Sequence, residues 1–144
     1  MDLLTQVDEL IANAPDDPAT MAAVQAIAPL LYEEAQRYGQ TVYYVLQTRE
    51  GQWQVITLEE QQPPHRQKNV IHAYGSELMA QEACDDQVVP VPMPIIPLLF
   101  QLLAADPVDS LMILEADGER GWEVGREWLL AQVRSILSAP PDIA

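Results

Sequence analysis

Leu3, Leu4, Val7, Leu10 and Ile11 recur at spacings of three and four, which gathers them on one stripe of a short helix with Asp8 and Glu9 on its other side. Asn13 to Pro18 breaks that pattern with two prolines and two aspartates, and Asp17 before Pro18 reads as a helix start with proline in the first turn. Met21, Val24, Ile27, Leu31 and Ala35 keep the helical period up to Tyr38 and Gly39, where glycine offers a left-handed end cap. Pro29 predicts a kink in this second helix, or two short helices in its place.

From Thr41 the period changes to two and the composition turns β-branched and aromatic. Thr41 to Thr48 and Gln52 to Leu58 read as two strands of an antiparallel hairpin, joined by Arg49, Glu50 and Gly51. Glu59 to Lys68 reads as a polar, mobile loop that holds His65, Arg66 and Lys68, a basic cluster. Asn69 to Tyr74 predicts a third strand, Ser76 a helix cap, and Glu77 to about Asp85 a short helix. Val88, Val89 and Val91 predict a strand in which Pro90 and Pro92 cannot donate ladder hydrogen bonds, which places it at a sheet edge.

Pro94 suits a helix start, and Ile95, Leu98, Leu99, Leu102 and Leu103 supply the stripe of a core helix that stops before Asp106-Pro107. Ser110 to Glu115 is apolar on both faces, as a central strand must be, and Asp117-Gly118 marks a tight turn into Trp122, Glu123 and Val124. A last helix begins near Arg126 and buries Leu129, Val133 and Ile136. The prediction is an α+β (mixed α/β) fold. A helical segment over 1–38 precedes a sheet domain over 39–138, with a mostly antiparallel mixed sheet of five to six strands, and 139–144 form a disordered tail.

With 144 residues the chain is of single-domain size, and 7 Lys plus Arg against 22 Asp plus Glu leave a formal charge of −15. That charge disfavours nucleic acid and anionic membranes, both of which would repel it, and favours a basic protein partner. The most apolar stretch, Val88 to Ala105, is interrupted by prolines and Gln101 and reads as buried core, so no membrane insertion is expected. Met1 to Asn13 carries acids where a secretory signal needs a basic start, and a lone Cys84 cannot form an internal disulfide. The cytoplasm is the expected compartment.

The chemistry that can be read from motifs is mostly excluded. Gly118, Gly121 and Gly125 sit in a predicted hairpin and lack the lysine and the strand-to-helix context of a phosphate loop. No zinc-protease pair, nucleophile elbow or calcium-loop spacing occurs, and the acidic pairs Asp16-Asp17, Glu33-Glu34, Glu59-Glu60 and Asp85-Asp86 read as solvated charge. No cofactor is implied. The catalytic alternative is Cys84 activated by His72, or carboxylates gathered in a cleft by folding; Asp85 and Asp86 beside the thiol oppose the first. Trp53 and Trp128 read as core or core-edge residues, while Trp122, beside the charged turn, is the partner-binding candidate together with Glu119 and Glu123. His65, Arg66 and Lys68 form a second candidate patch.

Three stretches carry a family resemblance: Asn69 to Leu78 (a strand, an aromatic, a serine and a short helix), Val88 to Leu103 (a valine and proline strand leading into a leucine helix), and Val108 to Leu130 (an apolar strand, a glycine turn and a final helix). Together, over residues 42–137, the chain resembles the amino-terminal domain of the SseB (enhanced serine sensitivity) family. It departs from that pattern at Tyr74, where the family has Phe, and at Glu115-Ala116, where it has Asn-Pro. The resemblance implies a mixed sheet with helices packed on it and a binding role, and brings no catalytic residues. The expectation is therefore a non-enzymatic interaction or regulatory module, with a small-ligand site between sheet and helices as a further alternative. The proline-bearing strand and the first helix are the surfaces a homodimer would use.

Overall fold

Asp2 and Asp17 each accept a hydrogen bond from the backbone three residues on, at Thr5 and Thr20, and so start the first two helices. A computed structural model describes residues 1–138; the predicted tail at 139–144 lies outside the described residues. The elements in chain order are α1 (Leu3–Ala12), α2 (Pro18–Ala35), β1 (Val42–Thr48), β2 (Ile56–Glu59), β3 (Gln67–Tyr74), α3 (Glu77–Ala83), β4 (Val88–Pro94), α4 (Ile95–Leu103), β5 (Ser110–Leu114), β6 (Gly121–Gly125) and α5 (Arg126–Leu137). The second helix runs unbroken through Pro29, whose ring lies on its exposed side, so the two-helix alternative does not occur.

Five helices and an open six-stranded mixed sheet make one small α+β domain among the described residues. The strand order is β4-β1-β3-β5-β6, with β2 on the side of β3. The β3–β5 pair is parallel and the other four pairs are antiparallel. One sheet face carries Tyr43, Val45, Ile71, Ala73, Leu111, Ile113 and Val124 into the main core, covered by α1, α2, α4 and α5. The other face is covered by α3 alone, over Leu46, Tyr74 and Val88.

The expected hairpin of β1 with the next strand is corrected by the pairing. One edge of β1 is occupied along its whole length by β4, from Val42 opposite Pro94 to Thr48 opposite Val88, and the other begins against β3 at Tyr44 and Val45. Only a stub remains, the Gln47–Trp53 bridge with Gln54 N–H donating to the Leu46 carbonyl, and β2 then turns away to pair with Gln67 to Val70. For the same reason β3 starts two residues earlier than predicted, and Lys68 is a strand residue rather than part of a loop.

Polar residues fix how the helices sit. Pro94 begins α4 without a side-chain cap, and Gln6, 0% exposed on α1, replaces it: its Oε1 accepts from Ile96 N at 2.9 Å while its Nε2 donates to the Thr41 carbonyl at 2.8 Å. At the other end of α4, the Arg126 guanidinium donates to the Leu102 and Leu103 carbonyls at 3.2 and 3.0 Å, neutralising the negative end of the helix.

Candidate functional site

The hairpin that ends the sheet is built by its turn. Asp117 accepts from the N–H groups of Glu119 and Arg120 and from the Arg120 side chain, all between 2.8 and 2.9 Å, which holds its carboxyl down at about 2. Gly118, at φ +75°, takes the left-handed position that the turn requires. The chain then alternates along β6, with Trp122 and Val124 on the core side and Glu123 on the opposite face.

Trp122 is half-buried. Its ring meets the edge of Tyr38 at 5.9 Å between centroids, and the Arg37 guanidinium lies 6.0 Å above it. Its indole Nε1 is buried with no hydrogen-bond partner. The ring therefore serves as the seat of the α2 C-terminus. The tryptophan that faces solvent is Trp128, 46% exposed in the first turn of α5.

Trp128 stands in a groove between α2, α5 and the outer edge of β6. Two adjoining cavities make it: one of about 370 Å³ lined by Glu34, Arg37, Glu123, Val124, Gly125 and Trp128, and one of about 350 Å³ that shares Glu34, Arg37 and Trp128 and adds Glu33 and Gln132. Glu34 is 8% exposed and accepts from the Tyr38 hydroxyl at 2.6 Å and from Arg37 at 3.4 Å. Burial, reinforced by the bond to Glu34, pushes the Tyr38 hydroxyl far above its ordinary value, so it stays a donor.

The cations around this groove are held by acids: Arg37 by Glu34, Lys68 by Glu123, Arg120 by Asp117 and Arg126 by Glu127. Lys68, and after it the Ser110 hydroxyl at 2.6 Å, lower the Glu123 carboxyl. Glu33 and Glu119 form no ion pair among the described residues, so the balance at the groove is acidic, in a chain that is strongly acidic throughout.

Of the sequence-derived candidates, the structure joins Lys68 to Glu123, one from each predicted patch. Glu119 is exposed at the hairpin turn. His65 and Arg66 remain at the β2–β3 connection, where His65 Nδ1 lies 3.0 Å from the Glu60 carbonyl and Arg66 pairs with Glu60 at 3.6 Å. His72 and Cys84 are not joined by a hydrogen bond among the described residues. The imidazole Nδ1 is buried without a partner, beside the Tyr74 ring at 5.9 Å, and burial lowers its pKa. Cys84 packs instead at the edge of the small cluster of Leu46, Tyr74, Ala80 and Val88. No group of three His, Cys, Asp or Glu side chains among the described residues is placed to hold a metal ion, and no described helix is long and apolar enough to cross a membrane.

A third cavity, about 480 Å³ and largely apolar, lies between α1, α2 and α4, where Leu10, Val24, Pro97 and Phe100 line it. Glu34, Arg37 and Trp128 went unread as site residues in the sequence, because Glu34 looked like half of a solvated acidic pair and Trp128 like a core residue at a helix start. Comparison with protein-family models, with curated proteins and with solved structures finds no match for this chain.

Proposed function

We propose that the chain is a non-enzymatic interaction or regulatory module of the cytoplasm, which docks a basic partner protein at the groove between α2, α5 and β6. The observation that carries this reading is Trp128: a large aromatic ring, nearly half exposed, beside a buried carboxylate and within an acidic surround. Aromatic anchors in partly desolvated pockets supply most of the energy of protein docking, and an acidic field speeds the approach of a basic partner. The interaction role implied by the SseB resemblance agrees with it. The buried polar groups support the same reading, since Gln6, Glu34 and Glu115 are each consumed in hydrogen bonds that hold helices and strands together.

The test is affinity capture from lysate with the wild-type chain and with Trp128→Ala, an exposed substitution that leaves the core intact. The wild type should retain a stoichiometric partner that rising salt releases, and truncating the ring should weaken retention by about 30-fold, the effect of a 2 kcal/mol anchor. Equal capture by both chains, or a complex indifferent to salt, refutes the assignment.

A further inference from the structure

The two long edges of the sheet are not alike. On β4, Ile95 N–H donates to the Thr41 carbonyl, which fixes the parity of the ladder. Pro94, Pro92 and Pro90, opposite Val42, Tyr44 and Leu46, then fall at the outward-facing positions. Three of the four outward positions of β4 thus have no N–H, and the edge is closed to further strands.

On β6 the same parity follows from Glu115 N–H donating to Arg120 and Arg126 N–H to Asp109. Gly121, Glu123 and Gly125, opposite Leu114, Met112 and Ser110, therefore direct their N–H groups away from the sheet, as do the carbonyls of Gly121 and Glu123. None of these three N–H groups finds an acceptor among the described residues. The edge carries no proline, no lysine and no bulge, and it opens onto the groove that Gly125 and Trp128 line.

Building on the docking reading above, we propose that the partner engages as an extended basic segment that adds a strand to β6, with its backbone on the outward groups of residues 121 to 125 and a side chain against Trp128. A second copy of this chain is the poorer occupant. Two-fold pairing of β6 would centre on Glu123 and set that carboxylate opposite its twin, between two chains each charged −15. A lysine-bearing strand instead meets complementary charge in the acidic surround of the groove, where Glu33 and Glu119 form no ion pair among the described residues.

The probe is a fluorescein-labelled peptide of alternating lysine and valine, about ten residues long, the upper end of an ordinary strand. A second peptide carries backbone N-methyl groups at alternate residues and the same charge. Gly125 has φ −74°, which proline adopts without strain, so Gly125→Pro removes one outward N–H within an intact fold. Gly125→Ala keeps that N–H, and its added Cβ meets the Trp128 Cβ at an ordinary 3.8 Å.

By fluorescence anisotropy, wild type and Gly125→Ala should bind the parent peptide within about twofold of each other. Gly125→Pro, and the N-methylated peptide on wild type, should each bind about tenfold more weakly. Absence of binding by the wild type, or equal affinity for the two peptides, overturns strand addition. Loss on Trp128→Ala with full binding by Gly125→Pro overturns it while leaving the docking reading in place; full binding by both variants overturns both. A wild-type dimer in sedimentation that Gly125→Pro abolishes makes the occupant a second copy and also overturns the proposal.

Discussion

Replacing Glu115 by glutamine tests how the α2 C-terminus is held to the sheet. The carboxylate is 1% exposed at the end of β5 and accepts from the Gly39 N–H at 2.6 Å and from the hydroxyl of Tyr43, a fully buried ring. Tyr43 in turn accepts from Gln40 N at 3.1 Å, so one acid organises the crossing from α2 into β1. Hydrogen bonds to a charged partner contribute about 1.5–3 kcal/mol and neutral ones about 0.5–1.5, so the uncharged amide forfeits about 1 kcal/mol at each of two bonds. Its NH₂ must also face one of the two donors, which brings the expected loss to about 2–3 kcal/mol of a total stability on the order of 5–15. Tyr43→Phe should cost a similar amount, because it removes one donor from the carboxylate and orphans Gln40 N–H. Urea unfolding followed by tryptophan fluorescence measures both, and the double variant closes a cycle with a coupling of about 1–2 kcal/mol. A loss under about 0.5 kcal/mol for Glu115→Gln, or additivity within that margin in the cycle, would refute the account.

Two further outcomes follow from buried polar groups. Gln6→Leu keeps the bulk of a fully buried side chain but strands Ile96 N–H and leaves the Thr41 carbonyl only its bond from Ile95 N–H, and should cost about 1–3 kcal/mol in the same urea assay; a neutral result would mean that α4 needs no cap from α1. Burial holds His72 below its ordinary 6.5, so the unfolded chain takes up the proton first as the pH falls. The stability it contributes is complete above that value and declines below it, until the folded imidazole is protonated too. His72→Gln should flatten stability between about pH 7 and 5 without altering the acid limb, where Asp117 and Glu123, both lowered, lose their contribution below their ordinary 3.8 and 4.5. Identical profiles for the two chains from pH 7 to 5 would sink the assignment.

Elements with a strong period or a defined cap were legible in the sequence. Asp17-Pro18 and Ser76 start helices where their chemistry says, and the prolines of β4 mark an edge, because both signals act within a few residues. The partner of β2 was not legible: a glycine turn after β1 predicts a local hairpin, but β4 fills one edge of β1 and β3 begins the other, so only the Gln47–Trp53 stub of that hairpin forms. Burial of polar side chains was the second blind spot. Gln6, Glu34 and Glu115 are chosen by donors that reach them from 90, 4 and 76 residues away, and nothing in their own neighbourhood separates them from surface residues. Trp128 is exposed and Trp122 half-buried for a related reason, since exposure at a turn or a helix start depends on what α2 lays over it.

The groove and the buried acids are parts of one construction. Glu34 and Tyr38 brace the last turn of α2, Arg37 and Tyr38 rest on Trp122 of β6, and Glu115 grips Gly39 immediately beyond. A Cβ at Gly39 would lie 2.1 Å from the Glu115 carboxylate, so the chain can come this close only at glycine. The wall of the groove opposite Trp128 is therefore set by an acid that does not itself line the groove. Loss of stability at Glu115 should then be accompanied by loss of partner affinity, because the segment that frees itself carries Glu34 and Arg37. An equal loss from Val88→Ala, in the small cluster under α3 on the opposite face of the sheet, should leave affinity unchanged at any denaturant concentration where the chain remains folded. That contrast separates a surface shaped by its scaffold from one that merely happens to be exposed.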